Sequence, residues 1–190
     1  VARQEGPVAS LTSAPPDAAK LQKCRDTFDG GTKGFATGCV GKLESKQDPT
    51  KPKTICSVPG DLATLEGQVD GLVADVVREI DPDFPTVGPS SPCEGGKETC
   101  VRKKVSCLLK IHQAAAKQGT PPDPVKLQRC RDAFDGGAKG FTKGCIGKLE
   151  SKQDLNKPKT ICSVTGDLAT LEGRVDTFVT AVAREIKNTP

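Results

Sequence analysis

The chain has no tryptophan, tyrosine or methionine, and only six phenylalanines and one histidine among its 190 residues. Large aromatic side chains normally supply much of the area a small domain buries, so another device must help to hold such a chain together. Their scarcity also removes the stacking platforms of a single-stranded nucleic-acid groove. With one imidazole, His112, and no Ser or Cys nucleophile placed beside it by the sequence, acid–base and nucleophilic catalysis lack a constellation. There is no Cys-x-x-Cys and no Cys-x-x-Cys-His, so zinc ribbons and fingers, attached c-type haem and dithiol redox motifs lack their ligands. The glycine-rich FDGGTKGF at 28–35 has no Gly-Lys-Ser/Thr and no strand signal before it, which excludes a phosphate loop. No apolar run is long enough to cross a membrane. The net charge of +4 is spread over segments of mixed sign, so nucleic acid is not an implied partner. No catalytic residue, cofactor or metal site is expected.

What the chain does have is cysteine, nine of them. In a reducing compartment that number suggests metal sites; in an oxidising one it suggests a disulfide framework, and the missing metal motifs favour the second. The chain starts with Val, shows no signal peptide and lacks a spanning segment, which reads as a mature, processed protein of the periplasm or the cell exterior.

It also says one thing twice. Residues 20–82 and 126–188 align without a gap and differ at 17 of 63 positions, with Cys24 and Cys130, Cys39 and Cys145, and Cys56 and Cys162 all 106 residues apart. Such a repeat decides the architecture before any local pattern does. The expected organisation is an extended arm at 1–19, a first helical repeat at 20–82, a Pro/Gly/Ser linker at 83–95, and a second repeat at 96–190 with a leading helix of its own. By the repeat offset Val1 stands where the second copy has Cys107, so the first repeat is read as missing that leading helix.

The elements follow from period and punctuation. Asp17 caps a helix that carries Leu21, Cys24, Arg25 and Phe28 at helical spacing, and Asp29-Gly30-Gly31 ends it. A weaker helix spans 32–45 despite Gly34, Gly38 and Gly41, and a proline-bearing loop at 47–60 holds Cys56. Asp61 opens the strongest helix, whose Leu62, Leu65, Val69, Leu72, Val76 and Ile80 form one apolar stripe, repeated as Leu168, Leu171, Val175, Phe178, Val182 and Ile186. A long helix at 97–118 places Val101, Val105, Leu108, Ile111, His112 and Ala115 on a face, with Cys100 and Cys107 two turns apart. Asp26 and Asp29, recurring as Asp132 and Asp135, invite a Ca²⁺ reading, but the alternating ligands and closing Glu of an EF-hand are missing, so capping and turn formation explain them.

An antiparallel hairpin through Gly119–Pro124 brings Cys107 to Cys130, the expected first bridge. The other cysteines allow two schemes. In a local one, Cys39–Cys56, Cys145–Cys162 and Cys93–Cys100 close short loops and Cys24 is the odd cysteine, a candidate for an intermolecular bond. In a ladder, Cys93 and Cys100 reach across to Cys145 and Cys162, leaving three cysteines of the first repeat unpaired. Economy favours the local scheme; sequence alone leaves both open.

The segments CVRKKVSCLLKIHQAAAKQG, DPVKLQRCRDAF, FTKGCIGKLESKQD and TICSVTGDLATLEGRVDTFV resemble uncharacterised exported bacterial proteins of delta-proteobacterial type, built of Cys-bearing helical repeats. The resemblance covers most of 93–188 and, less its first helix, 17–82; Ile111 stands where a Cys is common in that group. It implies export and a disulfide-bonded helical fold, and no activity. The sequence thus leads to an all-α tandem repeat of two small disulfide-stabilised bundles. Its expected role is structural: an extracellular, self-assembling homo-oligomer or polymer, a filament or surface-layer subunit built by head-to-tail contact. The rival is a monomeric secreted module binding a small apolar ligand or Ca²⁺.

Overall fold

The computed structural model describes residues 17–48, 50–51, 60–82, 91–157 and 160–187. Most of the expected arm, the loop around Cys56 and most of the 83–95 linker therefore lie outside the described residues. The described chain is all-helical, with no strand: α1 (Ala18–Asp29), α2 (Cys39–Glu44), α3 (Leu62–Ile80), α4 (Pro92–Gln118), α5 (Pro124–Asp135), α6 (Cys145–Glu150) and α7 (Leu168–Lys187).

The two copies begin and end their first helices by the same chemistry. Asp17 Oδ1 accepts hydrogen bonds from the Ala19 and Lys20 amides, and Asp123 Oδ1 does the same for Val125 and Lys126. Each helix stops at a left-handed glycine, Gly30 at φ 94° and Gly136 at φ 100°. The carboxylates of Asp29 and Asp135 then accept from the Gly31 and Gly137 amides at 2.7 and 2.8 Å, the turn role expected of them. The helix expected over 32–45 is instead two 3₁₀ turns, Gly31–Lys33 and Phe35–Thr37, followed by the short α2. Gly34 at φ 85° and an extended Gly38 break the helical path between them.

α4 starts five residues earlier than its periodicity suggests, inside the expected linker. Ser91 Oγ accepts from the Glu94 amide, Glu94 Oε2 accepts from the Ser91 amide at 2.9 Å, and Pro92 occupies the first turn. That capping box makes a helix of 27 residues, and it brings Cys93 onto the same side as Cys100 and Cys107.

α4 is the axis of the second half. α5, α6 and α7 pack against it, and α3 lies along α7. The core gathers Cys100, Val101 and Leu108 of α4, Cys130 and Phe134 of α5, Ile146 of α6, and Leu171, Val175 and Val179 of α7, with Val76 and Ile80 of α3 joining them. α1 and α2 pack on each other, and Arg25 reaches Asp70 of α3 at 3.7 Å. The seam between α3 and α7 depends on positions where the copies differ. Arg174, whose counterpart is Gln68, pairs with Asp75, whose counterpart is Ala181, at 3.0 Å, and with Glu79 at 3.2 Å.

Three disulfides tie α4 to the chain that follows it: Cys93–Cys162, Cys100–Cys145 and Cys107–Cys130, with Cα separations of 5.1, 5.8 and 5.9 Å. The expected local bridges Cys93–Cys100 and Cys145–Cys162 do not form. Once α4 extends to Pro92, Cys93 and Cys100 lie seven residues apart on one continuous helix, a rise of about 10.5 Å, beyond the roughly 4.4–6.8 Å that a disulfide spans. Cys39, expected to bond Cys56, is a free thiol on the surface, as is Cys24; Cys56 is outside the described residues. All three bridges thus belong to the second half of the chain, and the described residues of the first half carry none.

Candidate interaction site

The side of α4 that carries the cysteines also carries charge. Lys97 and Lys104 each follow a cysteine by four residues, so they lie on the same side one turn on, and both are buried. Lys97 Nζ donates to Asp167 Oδ1 and the Val164 carbonyl oxygen, each at 2.7 Å, and meets Glu150 Oε1 at 2.6 Å. Glu150 is itself held, accepting from the Gly166 amide, and nearby on α4 the buried Glu94 accepts from the amide and hydroxyl of Ser163. Lys104 Nζ lies 2.8 Å from Glu172 and 3.1 Å from Asp176 of α7, and 4.9 Å from the centre of the Phe134 ring. Arg131 of α5 also reaches Asp176 at 3.3 Å. Burial pushes the Asp167 carboxyl above its ordinary value, and the contact with Lys97 opposes that push. Lysine is rarely buried without a partner, and here each ammonium has two carboxylates. The docking face of α4 is therefore a row of alternating cysteines and lysines set against acids and thiols supplied by α5, α6, α7 and the loop before α7.

Every receiving residue has a counterpart 106 positions earlier. Cys130, Cys145, Glu150, Asp167, Glu172 and Asp176 become Cys24, Cys39, Glu44, Asp61, Glu66 and Asp70, and Arg131 and Phe134 become Arg25 and Phe28. The local geometry recurs too. Glu44 Oε1 accepts from the Gly60 amide at 3.1 Å, as Glu150 does from Gly166, and Arg25 pairs with Asp70 as Arg131 does with Asp176. What is missing, among the described residues, is a counterpart of α4. No cation is paired with Glu44 or Asp61 there, and burial, followed by the nearby Glu44 charge, raises the Asp61 carboxyl above its ordinary value. Asp61 precedes α3, but its side chain makes no capping bond.

The apolar positions show the same difference. Val175 and Val179 are 0% and 4% exposed; Val69 and Val73, at the same places in α3, are 37% and 55% exposed. Leu43 on α2 is 62% exposed, whereas its counterpart Leu149 packs on the core. Val69 and Val73 border a cleft of about 1590 Å³, with Leu21, Cys24 and Phe28 of α1 on the same side and Val101, Val105, Leu109 and His112 of α4 on the other. The volume exceeds the roughly 300–1,000 Å³ of ordinary small-molecule pockets.

Of the cysteines singled out by sequence, the structure brings Cys93, Cys100, Cys107, Cys130, Cys145 and Cys162 together in bonded pairs and leaves Cys24, in the cleft wall, and Cys39 free and exposed. His112 stands in the cleft wall. The buried ion pairs of Lys97 with Glu150 and Asp167, and of Lys104 with Glu172 and Asp176, are absent from the sequence expectations. Their signal was the lysine four residues after each of Cys93 and Cys100, matched by acids present in both copies. Among the described residues no group of three or more His, Cys, Asp or Glu side chains is placed to hold a metal ion, and no helix is long and apolar enough to cross a membrane. Compared with known family models, characterised proteins and solved structures, the chain matches none.

Proposed function

We propose that the protein is a structural assembly component that works outside the cytoplasm, and that its first repeat is an acceptor face for another polypeptide. The observation that carries this reading is the pair of matched faces. The face formed by α1, α2 and α3 has the residues that α5, α6 and α7 use to hold α4, yet Val69, Val73 and Leu43 on it are exposed. An apolar surface bordered by acids and free thiols is characteristic of an interaction site rather than a solvent face. Three disulfides support an oxidising compartment, in line with the resemblance to exported repeat proteins. A filament or surface layer made of this chain alone needs a donor to match the acceptor, and among the described residues α4 already serves its own half of the molecule. The reading is therefore of one link in a mixed assembly.

The apolar lining of the cleft favours one second reading, a monomer that carries a small apolar molecule. The two separate in one experiment, the non-reducing mass and sedimentation of the full chain isolated from its own source without thiol reductants. The assembly reading expects covalent species that release this chain and a second polypeptide on reduction, with Cys24 or Cys39 protected from alkylation. A single-chain monomer at every concentration, with both thiols alkylated and a small molecule retained in native mass spectra, would replace it with the carrier reading.

A further inference from the structure

We propose that the occupant of the acceptor face is a helix of α4 type carried by a different polypeptide, with two cysteines seven residues apart, one lysine three residues before the first of them and another four residues after it, and that it bonds covalently to Cys24 and Cys39. This rests on the assembly reading and names its partner. The argument is that the molecule contains its own solved example. Where α4 sits, Cys107 bonds the counterpart of Cys24, and Cys100 bonds the counterpart of Cys39. Lys97 sits between the counterparts of Glu44 and Asp61, and Lys104 between those of Glu66 and Asp70. The acids on the acceptor face call for ammonium groups at the same spacing, and its thiols call for thiols at the same spacing. A small apolar ligand satisfies neither, and a helix of other composition leaves Asp61 and Glu44 facing each other under an apolar cover.

A second copy of this chain is a poor donor. The cysteines of α4 are all engaged and two of its lysines, Lys97 and Lys104, are buried, so donation would open three bridges and the core around them. The approach is also close in the solved example. A side chain at Gly96 would press on Leu149, so the occupant needs a small residue at the corresponding place, one before the first lysine, where it passes Leu43.

Each bond forms by joining two thiols, one from the acceptor and one from the helix, into one disulfide. The two electrons and two protons released pass to an exchangeable disulfide oxidant of the glutathione-disulfide class, which leaves as two thiols. The thiolate of one cysteine attacks the mixed disulfide formed on the other. Two bonds thus consume two equivalents of oxidant.

The test uses the full chain and, as probe, an isotope-labelled synthetic peptide of residues 92–118, mixed in a glutathione redox buffer and mapped by mass spectrometry. The label separates the peptide from the chain's own α4. The expected result is a one-to-one adduct with peptide Cys107 on Cys24 and peptide Cys100 on Cys39. A Cys24→Ser, Cys39→Ser chain is expected to bind the same peptide without a bond, and peptide Lys97→Ala to bind it about tenfold more weakly, the loss of one charge-assisted contact. Both cysteines are exposed, so the double variant keeps the fold. Adducts no more abundant than those of a scrambled peptide with the same cysteines, or linkages in the opposite order, would overturn the proposal. Covalent multimers in the isolated protein alongside that failure would leave the assembly reading standing with a different occupant.

Discussion

Val69 and Val175 occupy the same position in two copies of one helix, in a stretch where 46 of the 63 aligned residues are identical, yet one faces a cleft and the other is sealed from solvent. Phe28 and Phe134, Leu43 and Leu149, and Cys24 and Cys130 repeat the contrast. What separates the members of each pair is the helix laid across them and not the residues nearby. Burial in this molecule is a property of the partner. An amphipathic helix that meets its complement becomes core, and the same helix without it remains an interface.

The comparison is broken most severely at a cation that, among the described residues, only the second half has. Lys97→Met should cost about 3–5 kcal/mol of unfolding free energy, because Glu150 and Asp167 would then share the interior without a cation. Guanidinium unfolding measures it, and a loss below about 1 kcal/mol would mean that the ammonium is not what completes the second half. Next in size is the valine pair. Val175→Ala removes two methyl groups from a fully buried site and should cost about 2 kcal/mol, whereas Val69→Ala should stay within about 0.5 kcal/mol. Equal losses at the two sites would show that the α3 face is covered in solution.

The smallest effect is electrostatic. The Asp61 carboxyl is raised by burial and by Glu44, so the folded chain binds its proton more tightly than the unfolded chain. Its contribution to stability is fully present below the ordinary value of 3.8 and is lost as pH rises through the raised folded value. Asp61→Asn should remove that slope and raise the melting temperature at neutral pH, by an increment within about 1 kcal/mol. A variant less stable at pH 7 than the parent would show that the ionised carboxylate already has a partner.

Much of this was legible in the sequence. The 106-residue offset, the caps at Asp17 and Asp123, and the stripes of α3 and α7 needed only period and turn chemistry. The disulfide scheme went astray at the start of α4. Ser91-Pro92 followed by Glu94 reads as linker because prolines and serines crowd there, although a serine three residues before a glutamate is also a helix start. With Cys93 outside the helix, a short loop to Cys100 was reasonable; with Cys93 inside it, that bridge is sterically closed. Economy misleads as well, since it counts three unpaired thiols as a cost, whereas Cys24 and Cys39 are both free and exposed. The buried lysines are not legible in the sequence because lysine on a helix is ordinarily solvated, and only the acids on the facing elements reverse that expectation.

The three bridges of α4 also carry an order in time. Their sequence separations are 23, 45 and 69 residues, and each lies inside the next without crossing it. A chain that emerges from its amino end exposes all three α4 cysteines before any of their partners. Cys130 arrives first and finds Cys107 nearest; Cys145 and Cys162 then meet Cys100 and Cys93 in turn. Each closure shortens the loop that the next must close, so the entropy cost grows little from one bond to the next. The helix is in effect a last-in, first-out stack, threaded upward and closed downward, and vectorial delivery favours its native pairing.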